Sequence, residues 1–159
     1  LSAADARLNA ENKITNVGGS ISADNTLGLK AKSVKNTSTT FTTNNQLGAS
    51  SATRTGIDQI GSIRVGYGLR GQVDADGKAL TTLAISATND VTFNAGVLNN
   101  QGGKTQIVSK EGDVVFNAIK TGNEVRAIGD TNNYYIDGQT QDVGSRVTSD
   151  GDLDITAKN

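Results

Sequence analysis

The sequence predicts an all-β chain, a parallel β-helical solenoid of about seven rungs interrupted by two insertions, and three observations carry that reading. Residues 85–95 read ISATNDVTFNA and residues 108–118 read VSKEGDVVFNA, an offset of 108 − 85 = 23 with Ser, Asp, Val, Phe, Asn and Ala at matched positions. A period in the low twenties is too short for a domain and fits one supersecondary unit stacked on copies of itself. The pattern apolar-x-apolar-x-Ala recurs four times, and its period of two turns one face inward as a strand does. Composition is the third sign: 35% apolar and 4% aromatic residues, with no Trp, are thin for one central core. A narrow interior filled layer by layer with small aliphatic side chains suits them better.

In chain order, Ala6-Leu8-Ala10 opens the pattern and Ile14 follows after Asn12. Val17 to Ile21 adds a third apolar step before Leu27-Leu29-Ala31, which Val34 follows. Leu83-Ile85-Ala87 leads through Asp90 to Val91 and Phe93, then to Val97-Leu98. Asp113 likewise precedes Val114 and Phe116, and Leu153-Ile155-Ala157 closes the series. Nineteen glycines, with abundant Asn, Asp, Ser and Thr, supply the turns between strands. At about 22 residues per rung the chain makes roughly seven rungs, stacked about 4.8 Å apart. Asp90 should then lie on Asp113, Phe93 on Phe116 and Asn94 on Asn117. Leu29, Ile85, Val91, Phe93, Val114, Phe116 and Ile155 have the inward parity and should be buried.

The regular segments are residues 2–36, 79–122 and 143–159, and the insertions are 37–78 and 123–142. A β-sandwich is the structural alternative, since it also uses many short strands. The 23-residue repeat and the lack of an Asn-Gly hairpin signal argue against it.

A net charge of −1 recommends neither nucleic acid nor an anionic membrane as partner. No run of 18 apolar residues and no basic segment leading into an apolar one is present, so neither a membrane span nor a signal peptide is expected. The chain starts at Leu1 without Met and is expected to be a piece of something longer. Without Cys or His it has no disulfide, no thiolate metal site and none of the commonest nucleophile–base pairs. Gly66-Tyr67-Gly68-Leu69-Arg70-Gly71 matches a dinucleotide fingerprint, but QVDADGKAL follows where the motif needs a helix. Asp74-Ala75-Asp76-Gly77 hints at a calcium loop, yet position 74 + 11 = 85 is Ile where a bidentate acid belongs. No cofactor and no metal are therefore expected. Stacked Asp90 and Asp113 could mimic the carboxylate cluster of a glycan-cleaving β-helix enzyme, but their shared place before a strand reads as a turn role, and no catalytic residue is assigned.

The phrases GGSISADNTLGLKAKSVKNTST, ALTTLAISATNDVTFNAG and VGSRVTSDGDLDITAKN resemble the haemagglutinin-type repeats of bacterial two-partner secretion exoproteins. These comprise filamentous haemagglutinins, large haemolysins and contact-dependent growth inhibition effectors. Gly19-Ile21-Ala23-Leu27-Leu29-Ala31 follows the family phrase closely, and Gly144-Val147-Leu153-Ile155-Ala157 follows it with Ser149 in place of the first Ala. The resemblance covers residues 2–36, 79–122 and 143–159. It implies a right-handed β-helical filament, exported by an outer-membrane partner transporter and secreted or displayed on the bacterial surface, where it meets a cell-surface receptor or glycan. The Asn-Pro motifs of the family's secretion domain and its Val-Glu-Asn-Asn toxin junction are absent, so an interior segment of an adhesin or of a toxin-delivery protein is implied.

A repetitive coil shows much the same surface at every rung, so specific contact is expected from the insertions. Arg64, Tyr67 and Arg70 in the first and Tyr134 and Tyr135 in the second are the candidate receptor contacts, because Tyr and Arg combine apolar area with directed hydrogen bonds.

Overall fold

The computed structural model describes residues 1–66, 71–78, 80–130 and 133–158, and every regular element among them is a strand. Copies of the repeated unit pair with one another in parallel. The first copy supplies β1 (Ser2–Asn9) and β2 (Lys13–Val17), and the second β3 (Ser20–Ala31) and β4 (Ser33–Thr37). β5 (Thr40–Leu47) and β6 (Ser50–Ile57) then leave the stack. The third copy is β7 (Ser62–Val65), β8 (Thr82–Ala87) and β9 (Val91–Asn94), and the fourth is β10 (Val97–Asn100), β11 (Lys104–Ser109) and β12 (Val114–Asn117). After a second departure through β13 (Ile119–Asp130) and β14 (Asn133–Val143), a fifth copy ends the chain as β15 (Arg146–Ser149) and β16 (Asp152–Thr156).

Strand order in the eight-stranded parallel sheet is β15-β10-β7-β3-β8-β11-β16, with β1 also paired to β3. β3 is long enough to pair with β7 through Ser20–Ala23 and with β8 through Thr26–Ala31. A second parallel sheet runs β12-β9-β4-β2. The stack is therefore five strands deep along β1, β3, β8, β11 and β16, not the seven estimated from length. The difference is the chain spent on β5–β6 and β13–β14, which pair antiparallel and add no layer. Two boundaries also move: β7 lies inside the segment read as the first insertion, and the second departure begins at Ile119.

In-register parallel pairing sets each side chain on its counterpart in the next copy. Leu8, Leu29, Ile85, Ile107 and Ile155 form one inward column, and Ile21, Ile63, Leu98 and Val147 another. The pairs expected at the 23-residue offset are in place. Phe93 and Phe116 stack with ring centroids 5.2 Å apart, Asn117 Nδ2 donates to Asn94 Oδ1 at 2.9 Å, and the Asp113 N–H donates to Asp90 Oδ1 at 3.0 Å. Leu29, Ile85, Val91 and Phe93 are buried as predicted.

Phe116 and Ile155 are not, at 42% and 41% exposed, and Val114 is only half-buried. β12 and β16 are the last strands of their sheets, so the same inward parity meets no further layer. Burial here is a property of position in the stack as much as of the residue.

Polar side chains occupy part of the interior. Asn36 is fully buried; its Nδ2 donates to Gly61 O at 2.9 Å, and its Oδ1 accepts from Asn16 Nδ2 at 2.8 Å. A side chain at Gly61 or Gly96 would collide with this corner: an added Cβ would lie 2.4 Å from Thr37 O and 2.6 Å from Asn36 Nδ2 respectively. Between the third and fourth copies the Thr81 hydroxyl donates to Asn100 Oδ1, and Asn100 Nδ2 donates to Thr105 Oγ1 at 2.9 Å. Asn100 and Thr105 are both fully buried, and no buried side-chain N or O among the described residues lacks a partner.

Chemical denaturation of three variants tests this interior. Phe93→Ala is expected to cost about 3–5 kcal/mol by opening a cavity, whereas Phe116→Ala costs about 1 kcal/mol, mostly the ring stacking. Equal costs would contradict the assigned ends of the stack. Asn36→Ala should cost about 1–3 kcal/mol by removing two buried side-chain hydrogen bonds, to Gly61 O and from Asn16 Nδ2, and leaving their space unfilled.

Candidate ligand-contact surface

Both departures start after a strand of the second parallel sheet, from β4 and from β12, which flank β9. Each is a hairpin. β5 and β6 meet at Gly48-Ala49, where Gly48 has φ +60°. Positive φ at the first of two loop residues, normally supplied by Gly, is the signature of a type II′ turn. The base is closed by Thr39, whose N–H donates to Gln59 O at 2.8 Å and whose carbonyl accepts from the Asp58 N–H at 2.9 Å.

The two hairpins join. β6 pairs antiparallel with β13 from Thr55–Gly122 to Ser51–Arg126, giving a four-stranded antiparallel sheet ordered β14-β13-β6-β5. We refer to it as the arm. The described side chains of its strands are all exposed or half-buried, so the arm is a single layer with two wet faces.

Register and the period of two assign the faces. One face carries the cross-strand row Thr43, Arg54, Asn123, Gln139 and beside it the row Phe41, Gly56, Thr121, Gln141. The Arg54 guanidinium carbon lies 5.6 Å from the Phe41 ring centroid, over the ring. Gly56 makes room for that ring, since a Cβ there would sit 2.7 Å from a Phe41 carbon. An open cleft of about 610 Å³ covers this region, lined by Arg54, Thr121, Asn123, Gln139 and Gln141 among others. The opposite face pairs the Thr42 and Thr55 hydroxyls at 3.1 Å and sets Lys120 across from Asp142.

Among the predicted contacts, Tyr134 and Tyr135 lie on β14 near the free end of the arm, 69% and 58% exposed, alternating to opposite faces. A shallow depression there is lined by Ser50, Ile128 and both tyrosines. The Tyr135 hydroxyl donates to Asp137 Oδ2 at 3.2 Å. That hydrogen bond, then the negative charge of the carboxylate, raise the phenol above its ordinary range. Arg64 lies on β7 in the parallel sheet, between Ser22 and Asn99, and is not part of the arm. Tyr67 and Arg70 fall outside the described residues.

Sequence reasoning missed Arg54, Phe41, Asn123, Gln139 and Gln141. The Gly48-Ala49 pair between two Thr/Asn/Gln-rich runs was the available signal for the first hairpin. The joining of β6 to β13 has no local signature. At the calcium-like segment, Asp74 Oδ1 accepts the N–H groups of Asp76 and Lys78 at 3.0 and 2.8 Å, so this carboxylate caps its own turn. Among the described residues no three acidic, His or Cys side chains converge, and no helix is long and apolar enough to cross a membrane. Comparison with protein-family models, curated proteins and solved structures returned no match.

Tyr134→Ala and Tyr135→Ala should each change stability by less than about 0.5 kcal/mol, as exposed substitutions do. Large losses of melting temperature would make these rings structural. In spectrophotometric titration, Asp137→Asn should lower the midpoint of one phenol among the three tyrosines. An unchanged curve would break the assigned Tyr135–Asp137 contact.

Proposed function

We propose that this chain is a non-catalytic structural and adhesive segment of a large secreted bacterial surface filament, folded as a right-handed parallel β-helix. In this reading the parallel stack is the shaft and the arm is the part that meets a receptor or glycan on another cell. Export would use an outer-membrane partner transporter, as the haemagglutinin-type repeats imply. The observation that carries the proposal is the in-register parallel pairing of the 23-residue copies, with Phe93 on Phe116 and Asn94 on Asn117. A unit that pairs only with its own copies builds length, and length is what a surface filament supplies.

The non-catalytic reading is supported by how the carboxylates are used. Asp90 Oδ1 accepts the Asp113 N–H, which engages it in a turn contact between adjacent copies. With no His in the chain, the most frequent proton-transfer group is also missing.

Beads coated with the full chain should adhere to cultured epithelial or bacterial cells, and soluble chain should compete. Beads that adhere no better than albumin-coated ones would remove the adhesive reading. Release of reducing ends from polysaccharides would replace it with the glycan-cleaving one.

A further inference from the structure

We infer that the arm cleft around Arg54 binds a carboxylate-bearing sugar. The inference deepens the adhesive reading, on which it rests, by naming the chemistry that the arm would recognise.

The cleft lining contains one cation and no carboxylate. Among the described side chains of the arm strands, the one acidic group on this face is Asp137, one row beyond Arg54 and two strands across, with the Tyr135 hydroxyl bonded to it. Arg54 is thus flanked in its row by Thr43 and Asn123, both neutral. The opposite face carries two cations and two carboxylates: Lys120 stands directly across from Asp142, and Arg126 lies two residues along β13 from Glu124. Charge complementarity therefore singles out the Arg54 side, and an anionic ligand.

The form of the cation narrows the ligand further. Arg54 lies over the Phe41 ring, and Phe41 is held in the notch at Gly56. Stacking fixes the plane of a guanidinium and presents its donors edge-on, the geometry that takes a carboxylate through two parallel hydrogen bonds. Around it the amides of Asn123, Gln139 and Gln141 both donate and accept, and the Thr121 hydroxyl, which donates to Gln141 O at 3.2 Å, adds an acceptor. Adjacent strands set them about 4.8 Å apart. Vicinal sugar hydroxyls are likewise donor and acceptor at once, so a row of primary amides matches them. An acidic peptide would use the guanidinium and leave most of that row unmatched.

The cleft also exists only because two distant insertions pair. Arg54 and Phe41 come from the first hairpin, and Asn123, Gln139 and Gln141 come from the second.

The test is calorimetric titration of the full chain with trigalacturonate and its methyl ester, and with 3′-sialyllactose and lactose. At least one acid should bind, and its neutral counterpart should bind at least tenfold more weakly. Arg54→Gln should abolish that preference, Arg54→Lys should restore part of it, and Gln141→Ala should weaken binding while keeping the preference for the acid. Circular dichroism checks that each variant keeps its β signal. Equal binding of acid and neutral forms, no binding of any probe, or binding indifferent to both Arg54→Gln and Gln141→Ala overturns the site. Binding of a short aspartate peptide as tight as that of the sugars overturns the sugar assignment. The bead assay separates this from the adhesive reading: adhesion that survives Arg54→Gln and excess trigalacturonate sinks only the cleft. Sugar binding without adhesion sinks only the adhesive role.

Discussion

The arrangement depends on one corner, where the second parallel sheet hands the chain back to the first. Every copy must turn there, and two of them leave the stack there for an excursion of many residues. Asn36, the penultimate residue of β4, donates from its buried amide to the carbonyl of Gly61, where the first excursion returns. Ser145 does the equivalent for the second, donating from Oγ to Asn117 O at 2.9 Å. Each side-chain hydrogen bond therefore ties the departure of a hairpin to its return. The hairpin pairing, closed at the base of the first excursion by the Thr39–Gln59 backbone bond, works with these ties, so the next copy does not recover its register across an open loop at the full entropic cost of closing it.

The same corner explains a change of chemistry inside the stack. Asn16, Asn36, Phe93 and Phe116 occupy one column by register. The lower two are amides that satisfy the carbonyls of Gly19, Ser62 and Gly61, and the upper two are rings that stack on each other. Glycine at 19, 61 and 96 is a steric consequence, because a Cβ at each would fall within 2.6 Å of the Asn16 or Asn36 amide or of Thr37 O. At the matching position of the fifth copy no buried amide intrudes, and Ser145 takes the place of glycine. A parallel ladder repeats position by position, so a substitution in one copy constrains the next copy more than it constrains its own sequence neighbours.

That property decides what was legible in the sequence. Where two copies are nearly identical, as at Asp90/Asp113, Phe93/Phe116 and Asn94/Asn117, stacking can be read directly, because identical positions at a fixed offset meet in an in-register ladder. Burial was legible for Leu29, Ile85 and Phe93 but not for Phe116 and Ile155, since parity says which way a side chain points and not whether another layer follows. Asn36 was missed because a buried amide looks like a turn residue until its carbonyl partner, 25 positions away in sequence, is known, and Asn100 because the Thr81 hydroxyl bonded to it lies 19 positions away. The arm was missed for a related reason. Hairpin β5–β6 is local and had a turn signal, whereas the pairing of β6 with β13 joins residues about 70 positions apart through backbone groups that every sequence has.

A single-layer sheet with two wet faces ought to have a poorly specified register, since slipping one residue would bury nothing less and expose nothing more. The arm avoids this with shape instead of hydrophobicity. Phe41 fits the notch left by Gly56, and an added Cβ at Gly122 would lie 2.4 Å from Gln139 O across the strand pair. A one-residue slip of β5 on β6 would set the ring against Thr55 or Ile57 in place of glycine, and a slip of β14 on β13 would alter the close approach at Gly122. The two glycines fix the register on either side of the β6–β13 pairing, and the Arg54, Asn123 and Gln139 row lies next to the row of Gly122. The arm thereby sets its polar side chains in order while spending almost none of its area on a core, which leaves both faces free for contact.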